Sequence, residues 1–366
     1  MQNSKSPIAI FIPSLRGGGA ERAMLLFAQE LLRRGYSVDL VVTQKSGPLS
    51  EMIPVGVTLI DLNQTRTIKA LPGLVRYLRS RRPRALYSTI VHANVIAVLA
   101  GVLARTKTPV IIRESNAPVS EPKATWSRWV TFKLVPWTYR WATGIIAVSE
   151  GVAAELTAID PRLAKTMQAI ATPVISKELF DLAEEPLKHP WFQPSEPPVI
   201  LGVARLQPHK GFINLVRAFR EVRAERQVRL VILGEGKERE AILREVASLG
   251  LCDDVELAGF VLNPFPYMKR AAVFVLASEY EGLPNVLIQA LALCTPSVAT
   301  DCPSGPREIL QGGALGTLVP MRDVPALADG IRTALSSERR RDAANSVQER
   351  FGVESATLRY LGIAGL

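Results

Sequence analysis

The sequence predicts an α/β protein built from two doubly wound, Rossmann-like domains that face a cleft. Short apolar runs rich in β-branched residues alternate with helical patterns along the whole chain. Continuous apolar strands joined by helical crossovers are typical of parallel sheets that are covered on both faces. A stretch rich in proline and charge, residues 176–197, interrupts this alternation and predicts a linker between the domains.

The first domain is predicted at residues 1–175. Its strands are expected at 8–13, 37–43, 85–89, 109–113 and 144–149. Between the first two lies a helical pattern over residues 20–35, which ends at Gly35 as a C-terminal cap.

The second domain is predicted at residues 198–349 and repeats this organisation. Its strands are expected at 198–205, 228–234, 254–259, 272–278 and 296–300. Because ligands of open parallel sheets bind at the carboxyl ends of the strands, the loops that follow these strands are the expected sites.

The 366 residues carry a net charge of +10, which favours an anionic partner: nucleic acid, an acidic membrane surface or a phosphorylated substrate. No apolar run approaches the roughly 20 residues of a membrane-spanning helix, and the first apolar run is predicted to be a strand, not a signal peptide. The sparse cysteines, Cys252, Cys294 and Cys302, indicate a reducing cytosol. Neither a HExxH nor a DxD motif occurs, so we expect no metal site and no cofactor.

Two loops carry groups that suit a phosphate. The stretch SLRGGGAERA, residues 14–23, precedes a predicted helix start, and Gly18 and Gly19 would let its backbone approach a ligand closely. Alternatively, the stretch is an ordinary tight turn. In LGVARLQPHKGF, residues 201–212, Arg205 and Lys210 could neutralise a diphosphate, or they are solvated surface charges. We predict no role for His209 in the same loop.

The stretch SEYEGLPNVLIQA, residues 278–290, combines a turn with a helix start. Pro284 suits the first helical position, and the free N–H groups of residues 283–286 could bind a phosphate. Glu281 lies before that start, where it could accept hydrogen bonds from ligand hydroxyls or simply cap the helix. TDCPSGPREIL, residues 300–310, is a further turn that runs into a helix.

The order of these stretches resembles glycosyltransferase family 4, whose members have the GT-B fold. GGAER, RLQPHKG, LASEYEGLPNVLIQA and DCPSGPREI follow the family's order and spacing, most densely between residues 198 and 310. The resemblance implies a retaining, metal-independent transfer of a sugar from a nucleotide-sugar, which we expect to be a UDP-sugar carrying an N-acetylhexosamine. It also implies that the last helix, about residues 350–366, returns to the first domain.

The resemblance further implies roles for single residues around the donor diphosphate and sugar. Arg205 and Lys210 would hold the diphosphate and stabilise the leaving UDP. Glu281 matches the first Glu of the family's E-x7-E motif, which contacts donor-sugar hydroxyls. The backbone amides near Leu283, Asn285 and Val286 are implied to assist with the diphosphate.

Three further matches concern the nucleoside and the first domain. AGFV, residues 258–261, matches the loop that packs on the base, through Gly259 and Phe260. His92 in VHAN occupies the place where many members carry a histidine that faces the sugar, although it could be a helix-start histidine without chemistry. Gln289 replaces the second Glu of E-x7-E, which in the family accepts hydrogen bonds from the ribose; glutamine keeps one acceptor oxygen but loses the charge.

Four of the five tryptophans lie within residues 124–144: Trp126, Trp129, Trp137 and Trp141. Interleaved with cations, they suit a membrane interface, to which the basic helical pattern of residues 71–85 would add attraction for anionic lipid; alternatively, they pack in the core. We therefore expect a cytoplasmic enzyme, peripheral to the inner face of the membrane, with a lipid-linked or polysaccharide acceptor.

Other functions remain open at this point. A nucleotide-sugar epimerase would share the fold, and a non-catalytic nucleotide-sugar-binding partner would explain Gln289. A nucleic-acid-binding protein would explain the charge, but the chain contains no recognised nucleic-acid-binding module, so we expect no nucleic acid partner.

Overall fold

The structure, a computed structural model, describes residues 6–16, 18–115 and 134–366. The chain divides into two compact units. The first comprises Met1–Val174 and Gly352–Leu366, so the C-terminal residues belong with the N-terminal ones. The second comprises Ile175–Phe351, and the predicted linker, residues 176–197, lies inside it.

The first unit contains a seven-stranded sheet in which every described pair is parallel. Its strands are β1 (Ile8–Ile12), β2 (Val38–Val42), β3 (Thr58–Asp61), β4 (Ala85–Thr89), β5 (Val110–Glu114), β6 (Gly144–Ala147) and β7 (Met167–Ala169). The spatial order is β3-β2-β1-β4-β5-β6-β7, so the direction of winding reverses between β1 and β4.

The second unit contains a six-stranded sheet, also parallel throughout. Its strands are β8 (Val199–Val203), β9 (Arg229–Leu233), β10 (Val255–Gly259), β11 (Val273–Leu276), β12 (Ser297–Thr300) and β13 (Thr317–Val319). The order is β10-β9-β8-β11-β12-β13, and the winding reverses between β8 and β11.

Helices connect these strands. Those with both ends inside the described residues are α1 (Gly19–Arg33), α2 (Leu71–Arg81), α3 (Val91–Ala104), α4 (Glu150–Ile159), α5 (Lys177–Ala183), α6 (Phe212–Glu225), α7 (Arg239–Ser248), α8 (Phe265–Arg270), α9 (Asn285–Ala292), α10 (Pro306–Ile309), α11 (Val324–Leu335), α12 (Arg341–Phe351) and α13 (Val353–Ile363). The predicted helix at residues 20–35 is confirmed as α1, and Gly35 follows its cap with φ +82°, in the left-handed region that favours glycine.

The ten predicted strands are confirmed, and three further strands were not predicted: β3, β7 and β13. All three are edge strands, only three or four residues long. Because β3 and β7 are not fully buried, they lack the continuous apolar pattern by which the inner strands are recognised.

Tyr360 on α13 anchors the C-terminal helix in the first unit's core. Its ring is fully buried and lies 5.3 Å from the ring of Phe27 on α1, measured between centroids. The Tyr87 hydroxyl donates to the Tyr360 carbonyl oxygen at 2.8 Å, and the buried Arg113 guanidinium donates to the Tyr360 hydroxyl at 3.1 Å. The two ends of the chain are thus joined by apolar packing and by buried hydrogen bonds.

Replacing Tyr360 with alanine is therefore expected to lower the free energy of unfolding by about 3–5 kcal/mol, because it leaves a cavity and removes a partner of Arg113. The matched control on the same helix is Leu358→Ala, whose side chain is exposed and whose loss should cost no more than about 0.5 kcal/mol. Urea titration followed by tryptophan fluorescence reports mainly on the first unit, which holds four of the five tryptophans. Equal effects of the two substitutions would contradict the packing role.

Candidate active site

The predicted diphosphate and sugar ligands come together at one edge of the second sheet. β8 and β11 are paired neighbours, and the chain leaves them toward opposite sides of the sheet. Arg205 and Lys210 follow β8, and Glu281 follows β11. The carboxyl ends of two such strands flank the crevice in which open α/β sheets bind ligands.

Lys210 and Glu281 form an ion pair that is largely withdrawn from water. The Lys210 Nζ lies 2.6 Å from the Glu281 Oε1, and the two side chains are 15% and 10% exposed. The buried Ser278 hydroxyl donates to the same oxygen at 2.6 Å. Glu281 Oε2 receives no hydrogen bond from the part of the chain that the structure describes, so one carboxylate oxygen is fixed and the other can accept from a ligand.

A close backbone approach brings the two loops together. Gly211 has φ +67°, and a Cβ at this position would lie 2.0 Å from the Ala277 carbonyl oxygen. The Glu279 amide donates to the His209 carbonyl oxygen at 2.8 Å. Only glycine fits at position 211, and this fit places Lys210 against the Glu281 turn.

The loop after β12 supports the same turn from its other side. The Ser304 hydroxyl donates to the Glu281 carbonyl oxygen at 2.8 Å. Gly305 has φ +86°, and a Cβ there would lie 2.6 Å from the Pro284 ring. The predicted turn at residues 300–310 therefore holds the backbone of Glu281 and precedes α10, as expected.

His209 and Tyr280 stack on one another beside the ion pair. Their rings are 4.2 Å apart between centroids and 17° from parallel. Burial, followed by the positive charge of Lys210, lowers the pKa of His209 from 6.5 to about 4. The imidazole is therefore neutral near pH 7, and it packs as a flat ring between the loops. The prediction that His209 has no part in the site misses this contact, because stacking partners 71 positions apart leave no pattern in a sequence.

Glu279 extends the network away from the ion pair. Arg322 donates to both of its carboxylate oxygens, at 3.0 and 2.6 Å. This hydrogen bonding lowers the pKa of Glu279, which stays ionised. The acidic residues flanking Tyr280 thus differ in role: Glu279 is neutralised by an arginine, and Glu281 faces Lys210.

Arg205 is exposed, and its guanidinium forms no hydrogen bond or ion pair with any residue that the structure describes. Its charge adds to the effects that lower the pKa of His209, after burial and Lys210. An unneutralised cation beside a neutralised one is an arrangement that attracts an anion.

The helix start at α9 differs by one position from the prediction. Pro284 is the N-cap, with extended backbone, and the helix begins at Asn285. The N–H groups of Leu287 and Ile288 bond to the Pro284 carbonyl oxygen. Leu283 is buried and Val286 is half-buried, so the segment lies against the sheet edge.

Gln289 lies in the second turn of α9 and is 9% exposed. Its side-chain amide forms no hydrogen bond within the described ranges, although its carbonyl oxygen accepts from the Leu293 amide. A nearly buried amide without a protein partner is costly unless a ligand or water satisfies it.

Gly259 and Phe260 lie at the end of β10, at the same edge but two strands from β8. Gly259 has φ +78°, which turns the chain, and Phe260 presents an exposed ring. An exposed aromatic face next to a sheet edge can stack on a planar ligand group.

The predicted residues of the first unit lie at the carboxyl edge of its sheet. Gly18 is the N-cap of α1 and Gly19 its first residue, after β1; His92 is exposed in the first turn of α3, after β4. The N-cap of α3, Ile90, has φ +77°, which is strained for a β-branched side chain. Strain of this kind concentrates at functional sites.

No described helix has the length and apolarity needed to cross a membrane. Within residues 6–16, 18–115 and 134–366, no group of three His, Cys, Asp or Glu side chains is arranged to hold a metal ion.

Comparison with known proteins identifies the family. The profile described as "Glycosyl transferases group 1" matches residues 197–337, and "Glycosyl transferase 4-like domain" matches residues 18–168. A Campylobacter jejuni relative is 30% identical over 352 residues, covering 92% of each chain; it is named N-acetylgalactosamine-N,N'-diacetylbacillosaminyl-diphospho-undecaprenol 4-alpha-N-acetylgalactosaminyltransferase. The chain belongs to the family 4 glycosyltransferases.

Solved structures of low identity show the fold of this glycosyltransferase. A glycosyltransferase from Rickettsia africae has a TM-score of 0.79 at 18% identity, covering 99% of this chain and 98% of that one. HepE of Anabaena, solved with UDP and glucose, has a TM-score of 0.78 at 18% identity, covering 99% and 100%. The predicted GT-B fold, with its two Rossmann-like domains, is confirmed.

The depressed pKa of His209 gives this glycosyltransferase a stability that depends on pH. The unfolded chain takes up a proton at this imidazole below about pH 6.5, whereas the folded protein does so only near pH 4. Unfolding is therefore favoured progressively as the pH falls from 6.5 to 4, and this effect levels off below pH 4. In His209→Gln, the free energy of unfolding should fall less over that interval, as measured by urea titration at several pH values. If the free energy of unfolding had the same pH dependence in the wild type and in His209→Gln, the stated role of His209 would be contradicted.

Proposed function

We propose that the protein is a retaining, metal-independent glycosyltransferase that uses a UDP-sugar donor and a lipid-linked glycan acceptor. The observation that carries the proposal is the Lys210–Glu281 pair at the reversal point of the second sheet, beside the unneutralised Arg205. Cations suit the donor diphosphate, and a carboxylate oxygen suits sugar hydroxyls.

Arg205 and Lys210 are proposed to bind the donor diphosphate. As the bond between the anomeric carbon and the diphosphate oxygen breaks, UDP leaves as an anion, and cations already in place stabilise that developing charge. Lys210 is neutralised by Glu281 without a donor, so a bound diphosphate offers its ammonium group a second anion. Arg205 provides the charge that no described residue neutralises.

Glu281 is proposed to bind the donor sugar through Oε2, while Ser278 and Lys210 hold Oε1. A carboxylate fixed by hydrogen bonds keeps its orientation without being ordered again for each substrate. Ser278 would therefore act as a positioning residue, through Glu281 and not by touching the sugar.

The nucleoside is proposed to lie along the same edge. The backbone amides near Leu283, Asn285 and Val286 would approach the diphosphate at the start of α9. Gly259 and Phe260 would pack on the base, and Gln289 would hydrogen-bond the ribose, which gives its buried amide a partner.

In the first unit, Gly18, Gly19 and His92 are proposed to bind substrate, on the strength of the resemblance and of their place at the carboxyl edge of the sheet. The strained backbone at Ile90 supports a functional role for the start of α3.

The acceptor is proposed to be a glycan on a polyprenyl diphosphate, in the assembly of a surface polysaccharide or oligosaccharide. Two Campylobacter jejuni relatives are named as N-acetylgalactosaminyltransferases of undecaprenol-linked glycans; the second is 25% identical over 359 residues, covering 94% of this chain and 93% of its own. Their names also support an N-acetylhexosamine as the sugar. A lipid-linked acceptor would suit a cytoplasmic enzyme that is peripheral to the inner membrane face.

Incubation with radiolabelled UDP-sugars, with and without a lipid extract, tests the function. Label should appear in the lipid fraction only when extract is present, and transfer should persist in excess chelator because no metal is proposed. Release of an epimerised sugar nucleotide without transfer would show an epimerase instead.

Glu281→Ala is expected to reduce transfer by about a hundredfold or more, since it removes the contact to the sugar. UDP affinity should stay near that of the wild type or rise, because Lys210 loses its competing carboxylate. Ser278→Ala keeps the carboxylate but removes one donor to Oε1, so a loss of about tenfold in kcat is expected, equivalent to ~1.4 kcal/mol. UDP affinity is measured by the shift in melting temperature, and its collapse in Glu281→Ala would place Glu281 at the nucleotide.

Gln289 replaces the second Glu of the family's E-x7-E motif. This replacement favours one alternative to a glycosyltransferase, a nucleotide-sugar-binding partner without catalytic activity. Gln289→Glu should keep or raise UDP affinity if the ribose lies there, whereas Gln289→Ala should lower it. Tight UDP binding without turnover of any donor would support the alternative. Loss of UDP binding in Gln289→Glu would show a site rebuilt around the amide.

A further inference from the structure

The positive charge of the protein resides in one unit. The first unit contains 23 Lys and Arg against 11 Asp and Glu, a net charge of +12, whereas the second contains 21 against 23, a net charge of −2. The donor-site cations Arg205 and Lys210 belong to the second unit, so a nucleotide-sugar does not account for the excess. The charge of the first unit therefore favours an anionic partner of its own.

The excess is concentrated between residues 62 and 113, which include ten Lys and Arg and no Asp or Glu. Some of these cations have partners: Arg81 pairs with Asp39, and Arg79 donates to the Leu103 and Ala104 carbonyl oxygens. Six others are exposed and form no ion pair with any described residue: Arg66, Lys69, Arg76, Arg82, Arg105 and Lys107.

The same elements expose large apolar side chains. Ile68, in the 3-10 helix Thr67–Ala70, is 69% exposed, and Val102 and Leu103 near the end of α3 are about half exposed. Trp137 and Trp141 are 61% and 47% exposed and contact each other edge to face, 5.2 Å apart. The alternative that these two tryptophans pack in the core is wrong; Trp126 and Trp129 lie outside the described residues.

These side chains belong to one surface because their elements pack on α3. The helix contacts α2, the 3-10 helix Thr67–Ala70 and the 3-10 helix Tyr139–Trp141. The Asn94 amide of α3 donates to the Tyr139 hydroxyl at 3.3 Å, and Arg79 of α2 binds the carboxyl end of α3. We call this surface, formed by α2, α3, the 3-10 helix Thr67–Ala70 and residues 134–141, the α3 face.

We propose that the α3 face docks on an anionic membrane surface. Exposed apolar side chains would enter the interface, the tryptophan pair would lie at the level of the headgroups, and the six unpaired cations would bind anionic lipid. An apolar protein partner would account for the apolar side chains but not for the absence of acidic ones. The proposal deepens the proposed use of a lipid-linked acceptor, since docking would hold the enzyme where such acceptors lie.

Cosedimentation of the full chain with vesicles tests the proposal without any sugar substrate. The wild type should bind vesicles of phosphatidylcholine with about 30 mol% phosphatidylglycerol, and bind pure phosphatidylcholine far more weakly. The variant Arg76→Glu, Arg105→Glu, Lys107→Glu should bind the anionic vesicles at least about tenfold more weakly. Trp137→Ser with Trp141→Ser should weaken the binding that survives high salt.

The matched control is Arg220→Glu, Arg244→Glu, Arg341→Glu, which changes net charge equally on exposed, unpaired arginines of the second unit. It should bind vesicles as the wild type does, and unchanged melting temperatures show that both triple variants fold. An equal loss in both would show that net charge alone drives binding and would overturn the α3 face. The docking proposal would also be overturned if the wild type bound no vesicles or bound neutral and anionic vesicles equally. In either case, sugar transfer to a detergent-solubilised acceptor would still support the proposed function.

Discussion

Parallel pairing of every described strand is the constraint on which this structure depends. It gathers all strand-to-helix loops of a unit at one edge of its sheet, however far apart they lie in the chain. In the second unit the winding reverses between β8 and β11, so the loops after these two strands diverge and leave room for a ligand. Those two loops carry the residues proposed to bind the donor: Arg205, Lys210 and Glu281.

The burial of the Lys210–Glu281 pair determines how much it contributes to stability. A pair withdrawn from water contributes little net stability, because the cost of desolvating two charges offsets much of their attraction. In the proposed reaction, a donor diphosphate would compete with Glu281 for Lys210, and the Ser278 hydroxyl would still donate to the carboxylate. The His209 imidazole, neutral near pH 7, stacks on Tyr280 and joins the two loops without adding a competing charge.

Prediction from the sequence was strong where a local pattern carries the signal. Inner strands are continuously apolar because they are covered on both faces, and all nine were found, together with the five-residue edge strand β10. The edge strands β3, β7 and β13 were missed because they are shorter and partly buried, so they lack that pattern. The four loop motifs, in order, were enough to identify the family. The helix start at α9 was displaced by one residue, since a proline can serve as N-cap or as first helical residue without any change in sequence.

The sequence by itself determined the fold class, the family and the residue types of the site, because alternation of strands and helices and the spacing of motifs are properties of the chain. Tertiary structure alone decided which oxygen of Glu281 is occupied, that His209 stacks on Tyr280, and that Trp137 and Trp141 are exposed. These depend on contacts between loops up to 71 residues apart and on which face of a helix is covered. Such contacts are set by the packing of whole sheets, and no local pattern encodes them.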